Sequence, residues 1–331
     1  MTTVSNMVSL GNVFDIALQR HNAKDIAFNE DNPETAEIVR QNPLAYLDCR
    51  LAGNLVVATA TATADLHVGM ALIESFELRI DGKDVIFSCP GFMLQKFSQV
   101  HTRSAPLATA PALTAGTNAF EYAWRIPIDL GNYFSLLDAS ANHSLIAKVQ
   151  WGAPEDGWTA GGGGTIDVSS VVLEIDAVGV VGVGRGMPGG VEYGYARHQV
   201  MSREQIITAA ESNLIVELLK KHVYSRVMLW TISDAALVDT ILNKISVRIG
   251  NTIMQTIERD MLQVENMMRY ALSACWTGVY VFDFAEPGRL EQMLALTGTQ
   301  RFELVVDVAH PGTTDKLYIL EDTFIQPTKA A

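Results

Sequence analysis

The sequence has few cysteines. It contains only Cys49, Cys89 and Cys275, an odd number without any Cys-x-x-Cys spacing. Structural zinc sites and disulfide frameworks use paired, regularly spaced cysteines, so neither is predicted. We expect the three side chains to be buried free thiols of a protein made in a reducing compartment.

Basic charge is also scarce. Lys and Arg number 24 against 37 Asp and Glu, which gives a net charge of −13. Affinity for nucleic acid comes from neutralising phosphates with Lys and Arg, so direct nucleic-acid binding is not expected. Residues 1–40 carry only Arg20, Lys24 and Arg40 against six carboxylates. We expect this segment to contact another protein or a lipid layer.

Long apolar segments and catalytic motifs are missing as well. The apolar window Val171–Val183 contains Glu174 and Asp176 and is too short to cross a bilayer, and the N-terminus has no leader pattern. The seven histidines are scattered without HxH or HExxH spacing, and no serine lies in GxSxG. We therefore predict no enzyme activity and no cofactor, and assign no catalytic, cofactor-binding or metal-binding residue.

Several local patterns have a functional alternative, but a structural interpretation is favoured for each. Gly184–Gly189 fits GxGxxG, yet its proline does not begin the helix that a dinucleotide site needs, so we interpret it as linker. Gly161–Gly164 lacks the Lys-Ser/Thr of a phosphate loop and is interpreted as a loop between strands. Glu155–Asp156 and Glu321–Asp322 could supply calcium ligands, but we interpret both pairs as solvated loop charge.

Short β-rich runs dominate the chain. Phe76, Leu78 and Ile80 alternate with Glu77 and Arg79, the pattern of a strand with one buried face. Twelve such runs, separated by turns rich in Gly, Pro and Asn, favour an all-β sandwich or barrel. The runs are Leu55–Thr63, Ile73–Ile80, Val85–Phe87, Phe120–Ile128, Leu145–Trp151, Val168–Val178, Tyr224–Ile232, Ile241–Ile249, Thr252–Thr256, Val279–Phe284, Phe302–Val308 and Leu317–Phe324.

The second half of the chain repeats the first. Phe76–Ile80 aligns with Ile245–Ile249 in the same side-chain phase, which places Arg79 on Arg248. The first copy then has one extra residue, Asp81, after which Met93 aligns with Met261. The repeat is too long for a solenoid, so we infer a duplicated domain, each copy being an eight-stranded jelly roll.

The duplication predicts the domain order. Residues 1–40 form an N-terminal arm, 41–180 the first barrel, 181–211 a Gly-rich linker and 212–331 the second barrel. A capping-box pattern at Ser202–Gln205 predicts a short linker helix, and Asn12–Gln19 is a candidate helix of the arm. The short helices expected in the barrels are Phe92–Phe97, Tyr133–Ala139, Ile257–Tyr270 and Leu290–Leu296.

Two segments have an unusual composition. Ser98–Asn118 is rich in Ala, Thr and Pro and longer than its counterpart Gln263–Gly278. Long loops are often functional, and we interpret this one as a subunit contact or exposed tower rather than a ligand lid. The methionine-rich stripe of Met254, Met261, Met267 and Met268 is interpreted as core packing rather than as a binding face.

This predicted architecture resembles the double jelly-roll major capsid proteins of tailless icosahedral viruses. The features that carry the resemblance are two tandem barrels, a linker, an arm and a helix after the hairpin of each copy, at Phe92–Phe97 and Ile257–Tyr270. Adenoviruses and membrane-containing bacteriophages share this lineage, and the short chain is most similar to the corticovirus or finnlakevirus type. The resemblance covers about residues 41–326 and is one of fold, so no site residue is transferred.

The resemblance implies a structural virion protein, made in the host cytoplasm, whose homotrimers form pseudo-hexagonal capsomers of a bacteriophage shell. Its expected partners are neighbouring capsomers, minor capsid or membrane proteins and an internal lipid membrane. The alternative is a carbohydrate-binding or receptor-binding double β-barrel. A bicupin would need clustered His and Glu, and a lectin exposes aromatic residues, whereas most tryptophans here lie within strand patterns. The tryptophans are Trp124, Trp151, Trp158, Trp230 and Trp276.

Overall fold

The chain divides into two compact units, residues 1–198 (unit 1) and 199–331 (unit 2). A computed structural model describes residues 8–10, 14–58, 61–64, 69–130, 133, 135–181, 196–220, 222–284, 294–295 and 301–325. Both units are built mainly of β-strands, and each of the twelve predicted runs overlaps a strand. No helix within these ranges is long and apolar enough to span a membrane.

The described residues of unit 1 form two large antiparallel sheets and one α-helix. One sheet has the order β1-β2-β13-β5-β10-β9, with β3 also on β13, and the other contains β4-β11-β7-β8; β6 and β12 form a separate pair. The elements are β1 Val8–Leu10, β2 Phe14–Asn22, β3 Ile26–Ala27, β4 Pro33–Glu37, β5 Leu44–Ala58, β6 Ala62–Ala64, β7 Ile73–Ile80, β8 Asp84–Cys89, α1 Gly91–Thr102, β9 Ala108–Thr109, β10 Gly116–Pro127, β11 Leu145–Trp151, β12 Trp158–Ala160 and β13 Thr165–Val181.

Unit 2 repeats this plan with shorter strands. One sheet contains β14-β23-β16-β17, with β20 and β21 also on β16, and the other has the order β15-β22-β18-β19. The elements are β14 Arg197–Ile207, which begins at the boundary between the units, β15 Glu211–Glu217, β16 Val223–Ser233, β17 Ala236–Leu237, β18 Leu242–Ile249, β19 Thr252–Glu258, α2 Arg259–Arg269, β20 Val279–Asp283, β21 Leu294–Ala295, β22 Phe302–Val308 and β23 Asp315–Ile325.

Alternating side chains form the core of each unit. In β11, Leu145, Ala147, Val149 and Trp151 are buried while the residues between them are only partly covered. A strand places successive side chains on opposite faces, so this period of two packs one face of the sheet inward. In unit 2, residues of both sheets share a single apolar cluster. Both sheets of unit 2 therefore enclose one core, as expected for a jelly roll.

The two units share the geometry of a hairpin followed by a helix. The β7–β8 hairpin has a register shift between Leu78 and Arg79, and the β18–β19 hairpin has one between Val247 and Arg248. The two shifts therefore fall at the positions that the alignment of Arg79 with Arg248 makes equivalent. The helices α1 and α2 begin in the register that aligns Met93 with Met261, and they contain the predicted segment Phe92–Phe97 and most of Ile257–Tyr270. The β-bulge and the first residue of the helix therefore occur at equivalent positions in the two units, as the sequence alignment of the two copies predicts.

A buried polar side chain at equivalent helix positions ties each helix to a strand of its own unit, β10 in unit 1 and β20 in unit 2. The Ser98 hydroxyl accepts a hydrogen bond from the backbone N–H of Arg125 at 2.9 Å. At the aligned position of α2, the Asn266 amide donates to the carbonyl of Val281 and accepts from its N–H, both at 2.7 Å. Because buried polar groups are costly unless paired, these bonds favour one docking position for each helix.

Three predicted helices are wrong. Asn12–Gln19 overlaps strand β2, which pairs with β13, and Ser202–Gln205 lies within strand β14. Tyr133–Ala139 shows no α-helix among its described residues: Leu137 forms an isolated β-bridge with Leu44, and a 3-10 turn spans Ala139–Ala141. Pairing with neighbouring strands satisfies the backbone groups of β2 and β14 and overrides weak local helix signals.

The fourth predicted barrel helix, Leu290–Leu296, is also not formed where the structure describes it. Leu294 and Ala295 are a short strand, β21, paired with β16. The rest of that segment lies outside the described residues.

The Ala/Thr/Pro-rich segment begins within α1, and the predicted burial of the cysteines is only partly correct. After α1 ends at Thr102, Arg103 takes a left-handed conformation, and the segment then returns to the sheet as β9, which pairs with β10. Cys49 and Cys89 are buried, but Cys275 is exposed, so the expectation of three buried thiols is wrong for Cys275. It lies in the loop between α2 and β20.

Candidate functional site

The local patterns singled out in the sequence do not come together in one place. Gly161–Gly164 is the turn between β12 and β13, as predicted, and Gly184–Gly189 lies outside the described residues. Asp156 accepts a hydrogen bond from the N–H of Ala153 at 2.8 Å within a 3-10 turn. Among the described residues, no group of three or more His, Cys, Asp or Glu side chains is arranged to hold a metal ion.

Glu321 and Asp322 are buried in strand β23, so their interpretation as solvated loop charge is wrong. Asp322 belongs to an ionic cluster of unit 2 in which Arg226 of β16 lies between two carboxylates. Its Nε is 3.3 Å from Oδ1 of Asp283 and 3.3 Å from Oδ2 of Asp322. The three side chains are only 5%, 1% and 0% exposed. We call these three residues the buried ionic cluster.

The helix α2 completes the surroundings of this cluster. Arg269 contacts Asp283 at 3.1 Å, and the hydroxyl of Tyr270 donates a hydrogen bond to the same carboxylate. Burial alone would lower the pKa of Arg226, but the charges of Asp283 and its neighbours outweigh it and raise that pKa. Arg226 is thus a permanent cation that holds β16, β20 and β23 together.

Glu321 forms a second buried contact on the same sheet. Its carboxylate accepts hydrogen bonds from the N–H of Leu219 at 2.9 Å and from the hydroxyl of Tyr224 at 2.5 Å. Arg203 lies 3.3 Å from the other oxygen. Each oxygen therefore has a partner in the protein, and the arrangement is that of a structural pair rather than of a general acid or base.

Cross-strand ion pairs cover the outer face of the larger sheet of unit 1. Arg20 on β2 contacts Asp48 at 2.5 Å and Asp176 at 2.7 Å, and Arg125 also contacts Asp48, at 2.7 Å. Arg50 lies directly opposite Glu174 in the register and contacts it at 2.9 Å. The charges occupy the strand positions between the buried ones, as the alternation of strand side chains requires.

These ion pairs border a shallow groove of about 740 Å³ that is lined by Tyr46, His101 and Pro106 besides the charged residues. The three arginines on this face are each paired with a carboxylate. Since no surplus positive charge remains among them, the groove offers no cradle for a phosphate. Its geometry is that of an outer sheet face with balanced charge.

A different surface, on unit 2, is apolar and exposed. Met254 on β19 and Met261 and Met268 on α2 are 62%, 62% and 76% exposed, so the interpretation of the methionine stripe as core packing is wrong for these three. The methionines do have the spacing of one helix face, but that face is not the core side of α2, which is formed by Leu262, Asn266 and Tyr270. Ile253 and Val264 extend the exposed set. We call these five exposed residues the α2–β19 surface.

The large aromatic side chains are mostly interior. Trp124, Trp151, Trp158 and Trp230 lie in strands and are buried, as the sequence pattern predicted. Sugar-binding modules present aromatic rings to solvent, and these four indoles are not available for that.

Comparison with known proteins identifies the fold through solved structures only. No family model and no curated protein matches the sequence. The crystal structure of the STIV MCP superposes with a TM-score of 0.75 at 16% identity, covering 94% of this chain and 97% of that chain. The major capsid protein of bacteriophage PM2 gives 0.59 at 8% identity, covering 95% and 99%. A PBCV-1 virus capsid model gives 0.60 at 8% identity, covering 96% of each chain.

These superpositions extend over nearly the whole length of both partners, so they apply to both units and not to one barrel alone. At such low identity they establish the architecture. The chain has the double jelly-roll fold predicted from its internal repeat.

Proposed function

We propose that the chain is the major capsid protein of an icosahedral virus and forms the shell of the virion. The observation that carries this proposal is the full-length similarity to the STIV MCP, with a TM-score of 0.75. The PM2 protein is itself described as a major capsid protein, and its chain is covered to 99%. A tandem of two complete barrels matched end to end is a far more specific feature than one jelly roll.

The chemistry of the described residues supports a structural role. Buried charges are paired with each other, as at Arg226 and Glu321, and the charged groove on unit 1 is internally neutralised. Such pairs hold strands in register but do not leave a free nucleophile or base. The exposed α2–β19 surface supports association with further protein. The alternative of carbohydrate binding has no such support, because the strand tryptophans are interior.

In this role the protein associates with itself as a homotrimer whose six barrels give a pseudo-hexagonal capsomer. Neighbouring capsomers, minor capsid or membrane proteins and an internal lipid membrane are its further partners. Direct contact with nucleic acid is not part of the proposal. Two of the three basic residues in the first 40 are already engaged, since Arg20 pairs with Asp48 and Asp176, and Arg40 with Glu37.

Light scattering on the purified full chain tests the proposal. A trimer has three times the chain mass of 36.1 kDa. We expect this threefold mass at micromolar concentration, or larger assemblies that dissociate to it. A species of 36.1 kDa at every concentration tested, with the protein folded by circular dichroism, would contradict the proposed function.

A further inference from the structure

The α2–β19 surface concentrates apolar side chains that a protein in solution normally buries. Among the described residues, five of the ten exposed large hydrophobic side chains belong to it. Met261, Val264 and Met268 are spaced i, i+3 and i+7 and so share one face of α2. Ile253 and Met254 lie on the strand that leads directly into this helix. Single exposed apolar residues are ordinary, but a group of this kind indicates an interaction site.

The internal repeat gives this surface a direct comparison within the same chain. In the register that aligns Met93 with Met261, four of its members have apolar equivalents in unit 1: Val85, the equivalent of Ile253, is half-buried, and the other three are buried. Their exposed fractions are 3%, 0% and 1%, against 62%, 62% and 76% in unit 2. The pairs are Ile86 with Met254, Met93 with Met261 and Val100 with Met268. The same positions of one fold are thus covered in the first copy and uncovered in the second.

The residues at the uncovered positions remain apolar. A helix position that always faced water would tolerate Lys, Glu or Gln, each a good helix former, without loss of burial energy. Methionine is flexible and adapts to irregular partners, which suits a contact formed between molecules. The second copy therefore retains the chemistry of a buried face, although the described part of the chain leaves these side chains uncovered.

We propose that a second copy of this chain covers the α2–β19 surface, so that this surface is a subunit contact of the assembled protein. This inference rests on the proposed function and deepens it by naming the contact residues. Because this chain alone buries the equivalent face of unit 1, every copy contains segments that can pack against a face of this kind. A contact between unlike surfaces of identical subunits closes into a ring when the rotation permits.

The charges around the surface favour protein over lipid as the occupant. Arg259 pairs with Asp260 at 2.7 Å and Arg269 pairs with Glu265 at 2.9 Å, so neither arginine of α2 is a free positive charge. The chain as a whole has a net charge of −13. Helices that lie on membranes carry Lys and Arg beside their apolar face and are attracted by anionic lipids. The border of α2 offers no surplus positive charge for that attraction.

The test uses the full chain with the double substitution Met261→Glu and Met268→Glu. Both side chains are exposed, so the variant should keep the circular dichroism spectrum and thermal midpoint of the wild-type protein. Ile215→Glu is the matched control, because Ile215 is also half exposed but lies on β15, at the opposite edge of the sheet from β19. Light scattering over a concentration series measures the dissociation constant of each protein.

We expect the double variant to raise the dissociation constant by about 100-fold or more, since each central apolar contact contributes about tenfold. Ile215→Glu should leave it unchanged. If the wild-type protein associates and the double variant associates equally well, the inference about this surface is wrong, but the proposed capsid function still holds. A monomeric wild-type protein would overturn both. Binding to vesicles of phosphatidylcholine and phosphatidylglycerol tests the lipid alternative. If the wild-type protein binds these vesicles, and the double substitution abolishes this binding without changing the mass of the protein assembly, the surface binds lipid instead.

Discussion

Replacing Arg226 by Met should destabilise the protein more than any other single arginine substitution considered above. Met keeps much of the aliphatic stem but removes the guanidinium that lies 3.3 Å from Asp283 and from Asp322. These carboxylates are 1% and 0% exposed, so water cannot replace the lost partner. Breaking a buried ion pair by removing one partner typically costs about 3–5 kcal/mol.

The magnitude follows from what remains around the two carboxylates. Arg269 still contacts Asp283 at 3.1 Å and compensates part of its charge. We therefore expect a loss of about 4 kcal/mol in the free energy of unfolding, within the range for buried pairs. Arg20→Met is the matched control, because Arg20 also contacts two carboxylates but its side chain is 47% exposed. Exposed pairs are worth about 0–1 kcal/mol.

Urea unfolding followed by tryptophan fluorescence measures both variants, since Trp230 lies on the same strand as Arg226 and is buried. The midpoint should fall strongly for Arg226→Met and little for Arg20→Met. Adding Asp283→Asn and Asp322→Asn to Arg226→Met should restore much of the loss, because the uncompensated charges are then removed. Equal midpoints for the two single variants would refute the assignment of Arg226 as the centre of a buried ionic cluster.

Two further predictions concern cysteine reactivity and acid stability. A thiol reagent should modify one cysteine, Cys275, in the folded protein and all three cysteines after denaturation. The reason is that burial raises the pKa of the Cys49 and Cys89 thiols and shields them from the reagent. Modification of two or more cysteines in the folded protein would contradict this prediction. Hydrogen bonds from the side chain and backbone of Thr313, together with those of Thr314, lower the pKa of Asp234 from 3.8 to about 2. The stabilisation by ionised Asp234 should therefore be present above about pH 4 and disappear as the pH falls towards 2. The thermal midpoints of the wild-type protein and Asp234→Asn should differ at pH 5 and converge near pH 2. A difference between the two midpoints that stays the same at both pH values would contradict the assignment.

The sequence predicted the strands well where one face is buried. In β7 the apolar residues at Phe76, Leu78 and Ile80 alternate with charged ones, and the strand spans the whole predicted run. The duplication was readable because it preserved both spacing and side-chain phase. The helix signals failed at Asn12–Gln19 and Ser202–Gln205, since pairing with distant strands decides the conformation there and local patterns do not record it.

The sequence was less informative about surfaces and buried charge. Arg226, Asp283 and Asp322 each interrupt an apolar strand run, which was the available signal for a buried ionic cluster. Nothing in the local pattern indicates that three distant strands bring them within 3.3 Å. Helical spacing of Met261 and Met268 identified a common face but not its environment. Periodicity shows which residues share a face, whereas only packing shows whether that face is covered.

Electron microscopy of the associated full-length protein tests the central claim, that one chain supplies two jelly-roll barrels to a shell, most directly. Averaged end-on views should show a closed ring with six similar lobes, two from each of three subunits. The same six-lobed unit should repeat across any shell or flat array that the protein forms. A ring of a different lobe number, or isolated two-lobed particles at concentrations where a capsid protein would assemble, would contradict the account.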